Sequence, residues 1–194
     1  MHVLVLSGGL SAERDVSLRS GRRVAEALRT ARTDWEVQEN DVDAGLLDRL
    51  RAHRPDAIVP LLHGAAGEDG ALRNVLESLR IPFVGSSAAA SRLAFDKPIA
   101  KTLVEGAGID TPPCVAMPQT TFRELGATAV LDAVVGALGL PIVVKPTKGG
   151  SSLGTSIVHR AADLPAAMVG AFAYADVVLM ESFIAGTELA VGVF

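Results

Sequence analysis

The sequence contains one cysteine, Cys114, which excludes an intrachain disulfide and suits a reducing cytoplasm. Aromatic residues make up only 4% of the chain, so Ala, Val, Leu and Ile must form the core, as in layered α/β proteins. No apolar run is long enough to span a bilayer, and no basic region precedes the first apolar run, as a signal peptide would require. The net charge of −4 argues against a strongly basic surface for nucleic acid. We therefore expect a cytoplasmic protein without a membrane or nucleic-acid partner.

The first half of the sequence alternates apolar runs with helical patterns. Continuous apolar runs that end in a glycine turn, such as HVLVL before SGG, are typical of buried parallel strands. Strands are predicted over residues 2–6, 35–39, 56–64 and 82–85, and helices over residues 15–31, 45–54 and 70–79. This β-α-β-α-β order predicts a doubly wound, Rossmann-like parallel sheet.

The second half has a different pattern, with a domain boundary predicted near Asp96. Helices are predicted over residues 97–105, 128–138 and 161–173, and strands over residues 141–146, 155–159 and 176–181. A glycine-rich loop joins two of these strands directly, which predicts an antiparallel hairpin rather than a βαβ crossover. A mixed or antiparallel sheet covered by helices is therefore expected. A last strand is predicted over residues 188–194, so we expect either a fragment or an unusually short protein.

The segment KPTKGGSSLG, residues 145–154, could bind phosphate or could be a plain turn between strands. It is not a Walker P-loop, because the pattern G-x-x-x-x-G-K-[ST] before a helix is missing. Its glycines allow successive backbone N–H groups to face one anion, and Ser151 and Ser152 add hydroxyl donors. Gly and Ser are also common in solvated turns, so the two interpretations are about even. Lys145 at a strand end favours phosphate slightly.

Two polar loops are expected at the carboxyl edge of the first sheet, where open α/β sheets bind ligands. Glu13 lies in the loop before the first helix, and a carboxylate there could pair with a substrate ammonium. His63 follows an apolar strand at the same edge, although a lone histidine is more often a satisfied, half-buried residue. An acidic residue at a helix start is often there because the helix dipole stabilises it, and this accounts for Asp15. It accounts less well for Glu13, which lies in the loop before the helix.

Other polar residues have ordinary explanations when each is taken alone. Lys97 starts a helix and could be a solvated surface lysine, and Glu181 and Glu188 flank SFIAGT as a polar hinge would. Cys114 beside two prolines is expected to be a small core residue. The sequence has no Cys/His zinc pattern and no G-x-S-x-G nucleophile motif.

Five motifs occur in one order and together resemble those of D-alanine–D-alanine ligases in the ATP-grasp superfamily. They are GGLSAERDVSLRSG, LHGAAGEDG, FDKPIAK, GLPIVVKPTKGGSSLGTS and MESFIAGTEL, and the resemblance runs over the whole chain. It implies an N-terminal Rossmann-like (preATP-grasp) domain over residues 1–96 and an ATP-grasp α+β central domain over residues 97–185. Residues 186–194 would be the first strand of a truncated C-terminal ATP-grasp domain.

The resemblance also implies roles for residues that match the family motifs. Glu13 and His63 would bind the first D-alanine, and Ser151 would link the glycine loop to Glu13, which makes Glu13 and Ser151 the expected catalytic pair. The lysines of the ATP site would contact phosphates, the backbone over residues 181–184 would read adenine, and Glu188 would bind the ribose. The complete set of implied ATP-binding residues is Lys97, Lys145, Gly150, Ser151, Ser152, Glu181, Phe183, Ile184 and Glu188.

The implied reaction is the ATP-dependent joining of two D-alanines for peptidoglycan synthesis. ATP would phosphorylate the carboxylate of one D-alanine, and the amine of the second would attack the acyl phosphate. The family uses Mg²⁺ or Mn²⁺ and forms homodimers. Its metal ligands, a catalytic arginine and the pocket for the second D-alanine are expected beyond Phe194. The chain by itself is therefore expected to be inactive, and to be aggregation-prone or dependent on a partner.

Three other functions fit parts of the sequence. A D-alanine–D-lactate ligase would share these motifs, because the residues that distinguish it are expected beyond Phe194. A non-catalytic module could bind nucleotide or amino acid without turnover. A Rossmann oxidoreductase is disfavoured, because SGGLSA lacks the G-x-G-x-x-G pattern and no acidic residue clearly serves a ribose at the second strand.

Overall fold

The computed structural model describes residues 1–192, which comprise two sheets with helices around them. The chain divides into two compact units, a first unit Met1–Asp96 and a second unit Lys97–Phe194. The strands are β1 His2–Ser7, β2 Glu36–Asp41, β3 Ala57–Pro60, β4 Cys114–Pro118, β5 Ile142–Pro146, β6 Ser156–Val158 and β7 Val177–Ser182. The helices are α1 Arg14–Ala31, α2 Leu46–Ala52, α3 Ala65–Glu68, α4 Ala71–Ser78, α5 Ala88–Phe95, α6 Lys97–Gly106, α7 Gln119–Leu125, α8 Ala127–Leu138 and α9 Leu164–Phe172.

The first unit is built on a three-stranded parallel sheet in the order β2-β1-β3. The central strand β1 is buried on both faces, because its side chains alternate between two separate groups of core residues. Leu4 and Leu6 pack with Leu50 of α2 and Leu76 of α4, whereas Val5 packs with Ala25 of α1. Helices thus cover both faces of the sheet, which confirms the predicted doubly wound fold.

Several elements of the first unit differ from the sequence prediction. The strand predicted over residues 82–85 is reduced to one parallel bridge between Ile58 and Phe83. Strand β3 ends at Pro60, since the following residues, 61–63, adopt an irregular path toward the next loop. Helix α5 was not predicted, although Ser87 supplies a clear start signal because its hydroxyl accepts a hydrogen bond from the Ala90 N–H at 3.2 Å.

The second unit contains a four-stranded sheet in the order β4-β7-β5-β6, with every neighbouring pair antiparallel. The pairing of β5 with β6, in which Val143 lies opposite Ile157, confirms the predicted hairpin around the glycine loop. One face of this sheet packs against α8 and α9. The buried side chains of that core are Leu131, Val134, Ile142, Val144, Val158, Leu164, Ala167, Met168, Ala171, Val178 and Met180.

The strand predicted over residues 188–194 was wrong for the part that the structure describes. Residues 188–192 are irregular, and residues 193–194 lie outside the described part of the chain. The apolar alternation of ELAVGVF favours a strand, but a strand needs a partner for its backbone N–H and C=O groups. Within residues 1–192 no strand pairs with this segment. The short helix α7 after Pro118 was also not predicted.

Candidate functional site

The first unit carries a tight glycine turn at the carboxyl end of β1. Gly8 has φ +92°, and a Cβ at this position would lie only 2.2 Å from Asp41 Oδ1. Only glycine fits a position that combines a left-handed φ with so close an approach. The buried Ser17 of α1 fixes the turn, because its Oγ accepts from the Gly8 N–H at 2.8 Å and donates to the Leu61 carbonyl at 2.7 Å.

Asp41 at the end of β2 holds the second residue of this turn. Its carboxylate accepts a hydrogen bond from the Gly9 N–H at 2.8 Å and pairs with the guanidinium of Arg14. Arg14 Nη1 also donates to the Gly9 carbonyl at 2.9 Å. The hydrogen bonds from Arg14 first, and from Gly9 second, lower the pKa of Asp41 from 3.8 to about 2. This clamp fixes the loop immediately before α1, and sequence analysis did not find it.

Glu13 and the loop after β3 lie together at the carboxyl edge of the first sheet. A Cβ placed on Gly64 would lie 3.1 Å from Glu13 Oε2 and 3.2 Å from the Ser11 Cβ. The Glu13 carboxylate therefore lies directly over Gly64, the residue that follows His63. This agrees with the expectation that the two loops meet at one edge, because parallel strands end on the same side.

His63 is held by groups from two helices. Its Nε2 lies 3.3 Å from Ser20 Oγ of α1, and its Nδ1 lies 3.8 Å from Glu68 Oε1 of α3. The imidazole is about one-third exposed, so it remains open to a ligand at this edge. Ser20 was not singled out from the sequence, although it follows Glu13 by two helical turns in the same motif.

The second unit presents a polar face on the side of its sheet away from α8 and α9. Side chains alternate along a strand, so Val144 of β5 and Met180 of β7 enter the core while Lys145 and Glu181 lie on the opposite face. Helix α6 contributes Lys97 and Lys101 to the same face, one helical turn apart. Three of these four positions were predicted from the sequence, and Lys101 was missed.

The glycine loop and two lysines surround one pocket in the second unit. The pocket has a volume of about 240 Å³. Lys97 Nζ donates to the Gly149 carbonyl of the loop at 2.9 Å, so α6 and the loop are joined at the pocket. Five of the predicted ATP-binding residues line it together. They are Lys97, Lys145, Gly150, Ser151 and Ser152.

Two serines of the glycine loop have a backbone conformation that residues other than glycine rarely adopt. Ser151 and Ser152 have φ +50° and +56°, in the left-handed region. Such residues cost on the order of 1–3 kcal/mol each and persist where the surrounding structure fixes them, often at ligand-binding sites. Gly154 closes the loop with φ +69°, and a Cβ there would lie 2.7 Å from the Tyr174 ring. Residues 148–153 are exposed, so the loop combines this left-handed backbone with a surface open to solvent.

Glu181 is the buried acidic partner of two lysines. Its Oε2 accepts from Lys101 Nζ at 3.1 Å, and its Oε1 accepts from Lys145 Nζ. The three charges carry a net charge of +1 on a largely buried face. The family motifs place Glu181 in the hinge, and the spacing of four between Lys97 and Lys101 is the one sequence signal for its second partner.

The predicted hinge, residues 181–184, begins within the end of β7 and already uses two of its backbone donors. The Ser182 N–H donates to the Pro113 carbonyl and the Phe183 N–H donates to the Pro141 carbonyl, each at 3.0 Å. An adenine would therefore have to bind other backbone groups of this segment. Ile184 is 64% exposed, and the exposed Glu188 lies on the irregular stretch that follows.

The structure also describes the cysteine and the possible metal ligands and membrane helices considered from the sequence. Cys114 was expected in the core but is only partly buried and belongs to none of the core clusters, and burial raises the pKa of its thiol above the ordinary value. Among residues 1–192, no group of three or more His, Cys, Asp or Glu side chains could hold a metal ion. In the same range no helix is both long and apolar enough to cross a membrane. The predicted link between Ser151 and Glu13 joins residues of different units and stays a prediction.

Comparisons with known proteins give one consistent result. Residues 103–194 match the family model described as the D-ala D-ala ligase C-terminus. The D-alanine–D-alanine ligase of Desulforudis audaxviator (strain MP104C) is 45% identical over 192 residues, which are 97% of this chain and 60% of the relative. The chain thus spans about 60% of the length of the curated relatives it matches.

Solved structures agree with the sequence relatives. A crystal structure of the D-alanine–D-alanine ligase from Bacillus anthracis superposes with a TM-score of 0.81 at 32% identity, covering 96% of this chain and 58% of that one. A second structure from the same organism, described as complexed with ATP, gives a TM-score of 0.78 at 30% identity, covering 96% of this chain and 60% of that one.

Proposed function

We infer that the chain belongs to the D-alanine–D-alanine ligase family, as its motifs predicted, and we propose that it serves the ATP-dependent ligation of two D-alanines. In this reaction the γ-phosphoryl group of ATP passes to the carboxylate of the first D-alanine. The amine of the second D-alanine then displaces phosphate from the acyl phosphate and forms the dipeptide. The products are D-alanyl-D-alanine, ADP and phosphate.

The observation that carries the proposal is the pocket in the second unit between Lys97, Lys145 and the glycine loop. Both lysines and the loop residues line one volume of about 240 Å³. Converging cations and backbone N–H groups stabilise the charge on a transferring phosphoryl group, which is the main catalytic requirement of this chemistry. Lys97 and Lys145 would contact the phosphates of ATP, with Gly150, Ser151 and Ser152 closing over them.

Closure of the glycine loop would also protect the intermediate. An acyl phosphate is hydrolysed when water reaches it, so a ligase of this type must exclude water before the second amine attacks. Ser151 would contact the substrate side of the site from this loop. The left-handed backbone at Ser151 and Ser152 fits a loop whose shape serves ligand binding.

The first unit supplies the candidate site for the first D-alanine. Glu13 would accept hydrogen bonds from the substrate ammonium, since a carboxylate over an open edge of the sheet can pair with a cation without burying an unpaired charge. His63 would contact the same substrate from the adjacent loop, oriented by Ser20 and Glu68. Glu13 and Ser151 remain the proposed catalytic pair.

We propose that the hinge after β7 binds the adenosine. Phe183 is 36% exposed and could cover the base, while Ile184 would offer its backbone N–H, because the Ser182 and Phe183 N–H groups are engaged within the protein. Glu188 would bind the ribose hydroxyls. Glu181 would contribute from the buried end of the same segment.

The wider role of the protein is proposed from the family resemblance alone. It comprises Mg²⁺ or Mn²⁺ as the metal cofactor, synthesis of peptidoglycan precursors and hence cell shape, a cytoplasmic location, and a homodimer without nucleic-acid or membrane partners. The residues 1–192 offer no cluster of ligands for the metal, so we derive no step through it.

Nucleotide binding by this chain tests the proposal directly. Titration calorimetry with ATP should show binding that GTP does not reproduce. Lys145→Met should weaken ATP binding by about 2 kcal/mol, or roughly 30-fold, the size of a lost hydrogen bond to a charged group. Arg160→Met is the matched control, because it removes a cation of the same unit whose side chain is 77% exposed and pairs with Asp163. Equal affinities in both variants would contradict the proposed site.

Amino-acid binding tests the first unit separately. D-alanine should raise the melting temperature of the chain, whereas L-alanine should not. Glu13→Gln should abolish the D-alanine effect, and Glu26→Gln on an exposed position of α1 should leave it unchanged. A D-alanine response that survives Glu13→Gln would exclude Glu13 as the ammonium site.

A further inference from the structure

The lysine that sequence analysis missed lies in a buried cluster of three charges, Lys101–Glu181–Lys145. The side chains of Lys101 and Glu181 are only 12% and 10% exposed, and that of Lys145 is 23% exposed. We infer that Lys101 is a positioning residue for nucleotide binding: it keeps the Glu181 carboxylate paired and thereby lets Lys145 turn from that carboxylate to a phosphate. This inference rests on the proposed function, because it requires a nucleotide in the pocket.

The three residues differ in whether they line the pocket. Lys145 is among the described residues that line the pocket beside the glycine loop, whereas Lys101 and Glu181 are not. Of the three, only Lys145 therefore belongs to the pocket lining, and the hydrogen bond of Lys101 is to Glu181 outside that lining. We infer that a ligand in the pocket meets Lys145 and is affected by Lys101 through Glu181.

The charge balance explains why a second lysine is needed. A buried carboxylate that loses its only cation is strongly unfavourable, because the charge is left without water or a partner. If Lys145 were the only partner, contact with a phosphate would compete with this pairing. Lys101 bonds the other carboxylate oxygen at 3.1 Å, so Glu181 stays paired wherever the Lys145 ammonium lies.

Helix α6 gives Lys101 a fixed position. Lys97 and Lys101 are four residues apart, so they project from the same face of the helix. Lys97 Nζ is bonded to the Gly149 carbonyl at the glycine loop, and Lys101 Nζ is bonded to Glu181 on β7. One helix thus connects the loop that would hold phosphate with the strand that leads to the hinge.

The chemistry of lysine also fits this position better than that of arginine. The chain has 18 Lys and Arg residues, and its only lysines are Lys97, Lys101, Lys145 and Lys148. A guanidinium binds both oxygens of a carboxylate in a planar fork, whereas an ammonium is a compact point charge that can occupy one. A lysine at position 101 therefore leaves Glu181 Oε1 for Lys145.

The test is a double-substitution cycle measured by calorimetry with ATP. Lys101→Met keeps most of the side-chain length and removes its charge, and it should raise the dissociation constant for ATP by roughly 10-fold. In a Glu181→Gln background the same substitution should change the dissociation constant by less than about threefold, because no carboxylate needs compensation. Arg160→Met is again the control for loss of a cation elsewhere in the second unit.

The outcomes separate this inference from the proposed function. If the unsubstituted chain binds no ATP, both fail. If it binds ATP and the folded Lys101→Met variant binds equally well, or if the cycle shows simple additivity, only the role of Lys101 is overturned. Should Lys101→Met not fold, the double variant decides: a folded Lys101→Met/Glu181→Gln protein supports charge compensation, and an unfolded one contradicts it.

Discussion

At the scale of single residues, a few charge pairs fix the loops that carry the candidate binding groups. Asp41 joins the Gly9 N–H to Arg14, the residue next to Glu13. Glu181 joins Lys101 to Lys145 in the second unit. Neither pair need contact a substrate to matter, because each sets the position of a group that the proposed reaction requires.

The Asp41 clamp predicts a specific dependence of stability on pH. Its folded-state pKa is about 2, below the ordinary value of 3.8, so the unfolded chain takes up the proton first as the pH falls. The stabilisation is therefore complete above the unfolded pKa and is lost as the pH falls toward 2. Asp41→Asn should lower the unfolding midpoint at pH 7, and this difference should shrink progressively between about pH 4 and pH 2.

Urea denaturation at several pH values would measure this effect. Asp48→Asn is the control, since that carboxylate is 84% exposed and forms only a surface ion pair with Arg51. A stability difference for Asp41→Asn that does not change with pH would show that the clamp acts through packing rather than through charge.

At the scale of elements, the glycine loop is shaped by the helix beneath it. Gly154 has a left-handed φ of +69°, and a Cβ there would approach the Tyr174 ring to 2.7 Å and the Gly170 carbonyl of α9 to 3.2 Å. The end of the glycine loop, where the chain enters β6, thus packs closely against α9. The phosphate-binding geometry proposed for the loop therefore depends on an element that contributes none of its lining residues.

Two glycine substitutions should have opposite effects on stability. Gly154→Ala should destabilise the chain by roughly 1–3 kcal/mol, because it combines a disfavoured backbone region with a steric clash. Gly170→Ala lies in α9 with nothing within 4 Å of the added methyl group, so it should stabilise by about 0.5–1 kcal/mol. Chemical denaturation measures both, and a neutral Gly154→Ala would disprove the proposed packing constraint.

At the scale of the whole molecule, each unit has a core made of its own residues. The first unit buries side chains on both faces of its sheet, with Leu76 fully buried, and the second buries one face against α8 and α9, with Leu164 fully buried. Separate cores imply that local stability can differ between the units.

Core truncations should therefore act first on their own unit. Leu76→Ala and Leu164→Ala should each cost about 2–5 kcal/mol. Hydrogen exchange followed by mass spectrometry should show faster exchange mainly in residues 1–96 for the first and mainly beyond residue 96 for the second. Val169→Ala on the exposed side of α9 is the control. Equal acceleration in both units for either truncation would indicate a single cooperative unit.

The sequence by itself determined the main elements and most of the candidate residues. Continuous apolar runs, strand-ending glycines and the spacing of KPTKGGSSLG are local features, and local features are what a sequence displays directly. The parallel sheet, the hairpin and the loop residues Lys145, Ser151 and Ser152 follow from them, whereas Lys97 was expected at the site only from the family resemblance. The predicted strand over residues 188–194 failed over its described part because pairing depends on a partner, not on the segment alone.

Only the tertiary structure decided which charges meet. Lys101 and Glu181 are 80 residues apart, and they pair because the Lys101 side chain of α6 reaches Glu181 on β7, which lies between β4 and β5. Arg14 at the start of α1 and Asp41 at the end of β2 are likewise 27 residues apart in the sequence. Strand order and helix placement bring such pairs together, and no local pattern encodes them. The strength of a charge pair depends on burial and distance, and both exist only once the chain has folded.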